Sequence, residues 1–508
     1  MSDPTRHPSG SLWRRWDLHL HTPGTKLNNA FGGTDDSTWN RYIEILKESP
    51  VQVFGITDYF SFDAYFEFVD RYSTQDPTST KTFFPNIEFR LSESISNDGG
   101  HPNIHVLFDN DTNVCGKDKL QRFLTDLKTQ AIDDTNAKRP CSDLKTTADF
   151  ESATVTHDDL LSALEETFGD SMPYLLALPA NNDGLRSTDT TSPRKVALAD
   201  RLDRRCHLFF GNEKNSPFFL RTDRYTNGEA RPKPVVSGSD AHSFDDLERL
   251  GGDVADYPPT WIKADTTFTG LTQICHEPES RVHIGRTPDV ITRQEQDSTK
   301  FLKTVCIDQV AGYDERNGRW FKNVVLPLNP ELTAIIGNKG SGKSALVDII
   351  GLLGESRQEN HFSFLTNQSR NKKFRQPGFA ENFIGAVTWL SDNRVEKRLS
   401  EPCNTENLEA IRYLPQNYFE QLTNELEIER FRHEVEEVVF SHVEETERLG
   451  KSSFADLEDY KELLSNLVYS RAESGGVPGD LPFIDTIDEL HSSHEVRELT
   501  EPPEASPA

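Results

Sequence analysis

The stretch Trp16-Asp-Leu-His-Leu-His21, running on through Thr22-Pro-Gly-Thr25, decides how the first half of the chain is read. Apolar and polar residues alternate with a period of two, the pattern of a β-strand with one face turned to a core. His19 and His21 therefore project from the same face and can bind one or two cations. Alone, such a pair is more often two packed or surface histidines. Its meaning depends on what the rest of the chain brings to it.

From Trp13 to about Gly285 short apolar runs alternate with longer segments of helical periodicity, which predicts an α/β domain with a mainly parallel sheet. The runs 16–20, 51–56, 83–87, 103–107 and 234–238 each contain, or lead straight into, a His, Asp or Glu. In parallel α/β barrels the working groups sit at strand C-termini and the loops after them. VVSGSDAH brings Asp240 and His242 out of one run with the same two-residue spacing as His19 and His21. GITDY supplies Asp58, FPNIEF supplies Glu88 and NIHVLF supplies His105. Mixed histidine and carboxylate ligands suit Zn, Mn or Fe, and such ions activate water and clamp a phosphoryl oxygen.

A second pattern begins at Phe301. GNKGSGKS fits the P-loop spacing, with Gly337, Asn338, Lys339, Gly340, Ser341, Gly342, Lys343 and Ser344 forming the cradle. Glycines let backbone N–H groups turn toward phosphates, the lysine reaches the β/γ oxygens and the serine hydroxyl helps hold Mg²⁺, so ATP with Mg is the expected ligand. A buried strand over 332–336 and an amphipathic helix over 345–353 are expected to flank it. IRYLPQNYFEQL ends an apolar run at Gln416 and resembles the Q-loop of ABC-type ATPases, which implies that Gln416 faces the metal and attacking water. Beyond Ser344 no apolar strand ends in Asp-Glu, and ESGGVPGD carries Val477 and Pro478 where a helix would have to start. Without that carboxylate the chain should bind ATP better than it hydrolyses it.

Over about residues 13–285 these motifs resemble the PHP (polymerase and histidinol phosphatase) family, which implies a distorted seven-stranded β/α barrel hydrolysing phosphomonoesters or phosphodiesters at two or three metals. By that resemblance His19, His21, Asp58, Glu88, His105, Asp240 and His242 are metal ligands, and His19, His21, Asp240 and His242 the catalytic set. Tyr59 stands where the family often has a histidine, and LPANND places Asn181 and Asn182 where another is common. A neutral amide is a poor transition-metal ligand, so one metal position is lost or weakened. NPELTAIIGNKGSGKSALVDII resembles the first half of an SMC-type, ABC-like ATPase head. The joined order resembles the TrlF family of PHP-linked ATPases, which implies nucleotide-gated nuclease activity in anti-phage defence or DNA repair. It also implies dimerisation through the heads or a separate chain supplying the missing half.

The 508 residues divide on this reading into a flexible start (1–12), the barrel (13–287), a linker (288–300), the ATPase half (301–470) and a disordered tail (471–508), with 109–156 an insertion in the barrel. A formal net charge of −28 leaves nucleic-acid contact to a local basic groove. Arg194, Lys195, Arg201, Arg204 and Arg205 form a basic face that reads first as a solvated helix surface. Six scattered cysteines without a CxxC pair read as reduced thiols, and no apolar run spans a bilayer, which points to the cytoplasm. Two other readings stay open: a small-molecule phosphatase with a vestigial head, and a non-catalytic nucleotide-binding scaffold.

Overall fold

The alternating stretch forms strand β1 (Leu12–His21) of a computed structural model. The model describes residues 9–95, 100–132, 137–181, 185, 190–225, 227–251, 258–367 and 373–414, then 432, 435–436, 439–440, 443, 447–461 and 463. These fall into two compact units, one drawn from residues 1–353 and 375–401, the other from 354–374 and 402–508.

In chain order β2 (Val51–Tyr59), β3 (Thr82–Arg90), β4 (Asn103–Phe108), a separate hairpin of β5 (Lys128–Ile132) and β6 (Lys138–Pro140), β7 (Tyr174–Pro179), β8 (Leu208–Phe210), β9 (Val235–Val236), β10 (Thr260–Ala264) and β11 (Val282–Ile284) follow. Nine of them form one sheet in the order β11-β10-β1-β2-β3-β4-β7-β8-β9. The hairpin lies outside it, so the 109–156 segment is an excursion between neighbours β4 and β7.

This corrects the expected seven-stranded, mainly parallel sheet. Parallel pairs β1–β2, β2–β3, β7–β8 and β8–β9 are matched by antiparallel pairs β3–β4, β4–β7, β1–β10 and β10–β11. Antiparallel neighbours need no crossover helix, so the apolar runs alone could not reveal the mixture.

The sheet nearly closes on itself. The chain leaving β9 runs back beside β1: Asp240 N–H donates to the His19 carbonyl (2.8 Å), and His21 N–H donates to the Ala241 carbonyl (3.2 Å). Ser237 N–H reaches the Thr260 hydroxyl of β10 (2.7 Å). Helix Asp36–Glu48 covers one side, burying Trp39, Tyr42, Ile43 and Leu46 at i, i+3, i+4 and i+7. Asp35 caps it by accepting from the Ser37 and Thr38 amides, and the Tyr42 hydroxyl donates to the His21 carbonyl (2.9 Å).

The segment read as a linker carries helix Asp289–Gln296 and a 3-10 turn at Ser298–Lys300. A four-stranded antiparallel sheet follows, β12 (Leu302–Gln309), β13 (Val324–Pro327), β14 (Phe383–Trp389) and β15 (Arg394–Arg398), in the order β13-β12-β14-β15. The expected helix exists as Lys343–Leu353, burying Ala345, Ile349, Leu352 and Leu353.

The expected strand over 332–336 does not form: it pairs with no strand among the described residues, and Leu332 and Ile336 are 80% and 92% exposed. A strand exists through its ladder, and an apolar run without ladder partners stays irregular. In the second unit the Gly354 carbonyl accepts from the Ala410 and Ile411 amides, and Phe362 packs on Tyr413. Among the described residues no helix is long and apolar enough to cross a membrane.

Candidate metal centre

Strand β1 delivers His19 and His21, and its Asp17 fixes the opposite wall. The buried Asp17 carboxylate accepts from the His19 amide (3.1 Å) and from the Ser239 amide through both oxygens (3.1 and 3.2 Å). This clamp holds the chain after β9 against β1. A Cβ on Gly238 would lie 2.4 Å from His19 Cβ, so only glycine permits the approach. Asp240 then adopts φ +47°, a left-handed conformation uncommon for a residue with a side chain.

His19, His21 and Asp240 converge as a result, each offering one ligand atom. His19 Nε2 lies 3.3 Å from His21 Nε2, 3.1 Å from Asp240 Oδ1 and 3.6 Å from Glu88 Oε2. His21 Nε2 lies 3.5 Å from the same Asp240 oxygen and 3.7 Å from the same Glu88 oxygen. Bonds of about 2.1 Å to a tetrahedral cation would hold their ligand atoms about 3.4 Å apart, so the mutual spacing of His19, His21 and Asp240 fits one ion. A second group joins His19, Glu88 and His105, with His105 directly opposite Glu88 in the β3–β4 register. Asn103 Nδ2 donates to Glu88 Oε1 (2.7 Å), which orients the carboxylate of this second group, while His19 is common to both.

The electrostatics fit a cation. Burial holds His21 down to about 4 and His105 to about 3, so both present neutral imidazoles. Burial raises Glu88, but His105 and His19 outweigh it and hold the carboxyl at about 2. Burial likewise opposes ionisation of Asp240, yet His19 keeps it far below the carboxylate range. At His19 burial favours the neutral ring, and Asp240 and Glu88 overcome it to raise the group to about 10. Two carboxylates thus hold one buried positive charge where an ion would sit.

Two of the seven expected ligands stand outside both groups. Asp58 is buried, with Oδ1 accepting from the Lys26 and Tyr59 amides (both 2.8 Å) and the Thr25 hydroxyl (3.2 Å), while Oδ2 has no hydrogen-bond partner. Burial raises its carboxyl to about 7. His242 lies against the Asp240 carbonyl through Nδ1 (2.8 Å) and the Tyr59 hydroxyl through Nε2 (3.3 Å), its ring stacked 4.0 Å from His21. Asn181 forms a reciprocal amide pair with Asn215 (2.9 Å each way), which occupies its carbonyl oxygen.

A cavity of about 360 Å³ opens over the cluster, lined by His19, Glu88, Asn103, His105, Asn181 and Asp240 among others. Asp17, Asn103 and Gly238 escaped the sequence reading. Asp17 carried a readable signal, its i, i+2 spacing to His19, whereas the other two act only through partners on distant strands.

In the P-loop, Gly337, Gly340 and Gly342 take φ of +158°, +85° and +96°. Lys343 Nζ donates to the Gly337 and Asn338 carbonyls (2.7 and 3.0 Å). Gln416, Asn182 and the 471–508 tail lie outside the described residues.

No family model matches the chain, and no curated protein matches it. Among solved structures it is similar to a two-domain protein containing a predicted PHP-like metal-dependent phosphoesterase from Bacteroides vulgatus, at 11% identity over 60% of this chain and 74% of that one, with a TM-score of 0.32. It is also similar to a predicted metal-dependent phosphoesterase from Bifidobacterium adolescentis, at 12% identity over 48% of this chain and 98% of that one, with a TM-score of 0.23. At these values neither likeness bears on function.

Proposed function

We propose that the chain is a metal-dependent phosphoesterase that cleaves nucleic acid under the control of ATP at the P-loop. One observation carries the reading: His19, His21 and Asp240, from two distant parts of the chain, gather their ligand atoms at the spacing one cation requires. A bound Zn, Mn or Fe would polarise a phosphoryl oxygen and acidify water there. His19, His21 and Asp240 would hold it, and His19, Glu88 and His105 would offer a second position. Neutral His21 and His105 can ligate without first losing a proton. Asp17 and Asn103 keep Asp240 and Glu88 aimed.

The nucleic-acid substrate, the gating and a part in anti-phage defence or DNA repair rest on the resemblance of the joined barrel and P-loop. A physical route for gating supports them: Asn329, just before the P-loop, donates to the Ser9 and Ser11 carbonyls (3.0 and 2.8 Å) that lead into β1. Lys263 of β10 pairs with Glu331 (2.8 Å). The exposed apolar run 332–336 supports a partner, a second copy or a separate chain, that supplies the missing ladder.

The size of the cavity, about 360 Å³, favours a second reading, hydrolysis of a small phosphomonoester with the P-loop as a remnant. Elemental analysis of protein purified without added metal tests both readings, paired with Mn²⁺-dependent cleavage of plasmid and single-stranded DNA with and without ATP. Metal with ATP-sensitive cleavage supports the gated nuclease. Turnover of simple monoesters indifferent to Lys343→Ala supports the phosphatase, and metal without any turnover leaves a scaffold.

A further inference from the structure

His21 faces the cluster through Nε2, so its other nitrogen decides how well it can serve. If Nε2 is to present its lone pair to an ion, the ring proton must sit on Nδ1. Nδ1 lies 3.2 Å from Thr25 Oγ1, and the Thr25 hydroxyl lies 3.2 Å from Asp58 Oδ1. The direction of the chain is then forced. Thr25 accepts from Nδ1–H and must pass its own hydrogen onward, to Asp58 Oδ1 or to the competing Leu27 carbonyl at 3.3 Å. A carboxylate is the stronger acceptor, and the Lys26 and Tyr59 amides pin it in place. All three side chains are buried, so water does not compete for these bonds.

Resting on the metal reading above, we propose that Asp58 is a positioning residue and not a ligand: it ends a relay, His21 to Thr25 to Asp58, that fixes the tautomer and aim of His21. Asp58 belongs to neither gathered group, which agrees with that role. Threonine is needed because a hydroxyl can accept and donate at once, while the isosteric valine can do neither.

The test compares wild type with Thr25→Val, Thr25→Ser, Asp58→Asn and the Thr25→Val/Asp58→Asn double variant. Metal equivalents are counted by elemental analysis, and Zn²⁺ affinity is read by competition with a chromophoric chelator. Thr25→Val should weaken affinity about 10- to 100-fold with the equivalents unchanged. Thr25→Ser should restore it, a rescue that loss of packing alone would not show. Asp58→Asn should weaken it with no loss of equivalents, and the double variant should be no weaker than the weaker single. Wild-type affinity in both Thr25→Val and Asp58→Asn overturns the relay alone. Loss of a full equivalent in Asp58→Asn overturns it by making Asp58 a ligand. A wild type that takes up no metal overturns the relay together with the metal reading.

Discussion

Asp240 Oδ1 lies 3.1 Å from His19 Nε2 because the Gly238 backbone presses against His19 and Asp17 grips the Ser239 amide. Closure of the sheet and assembly of the site are the same event. The chain leaving β9 brings the Asp240 carboxylate to β1 only where no Cβ intervenes.

Gly238→Ala should therefore damage both. The added methyl forces the chain after β9 away from β1, at a cost of about 1–3 kcal/mol. Chemical denaturation should show that loss, and metal titration should show weaker binding than in wild type. Unchanged affinity would mean that Asp240 is not held by this contact.

Asp240→Ala removes an oxygen that approaches both histidines. At least one metal equivalent should disappear, and hydrolysis of an activated phosphodiester should fall more than about 100-fold. Elemental analysis beside turnover reads both. Full metal content with full turnover would remove the barrel from consideration as the catalytic unit.

Asp203 offers a pH-dependent prediction away from the metal. Its buried carboxylate takes Arg224 Nε and Lys233 Nζ (both 2.9 Å) and the Tyr225 hydroxyl (2.8 Å). Burial alone would raise its carboxyl, but these partners outweigh it and lower it below the ordinary value. A lowered folded pKa means the pair stabilises the fold above the unfolded value of about 4 and ceases to do so as pH falls through the folded value. Asp203→Asn should cost about 3–5 kcal/mol near neutrality, because two buried cations lose their counterion. Urea unfolding at about pH 7 and about pH 3 should show a smaller acid-induced loss in the variant than in wild type.

Lys343→Ala should abolish binding of a fluorescent ATP analogue while leaving the metal content untouched. Lys343 Nζ donates to the Gly337 and Asn338 carbonyls, which on the proposed reading phosphate oxygens would replace. Retained nucleotide affinity would remove the P-loop from the proposal.

The alternation around His19 and the placement of Glu88 and His105 in apolar runs were legible in the linear chain, because a period of two fixes which side chains share a face. Of the pattern read around 337–344, the helix that follows forms as expected, whereas the strand before it does not. These signals are local. What tertiary structure decided was everything that depends on a partner far along the chain. The mixed strand directions, the Gly238 contact, the outer position of Asp58 and the pairing of His242 with Tyr59 each require two segments to meet. The 332–336 run shows the same limit from the other side: its residues favour a strand, yet among the described residues no neighbour completes a ladder and no strand forms there. Local pattern chooses which residues can bind a metal, and long-range closure chooses which of them meet at hydrogen-bond distance.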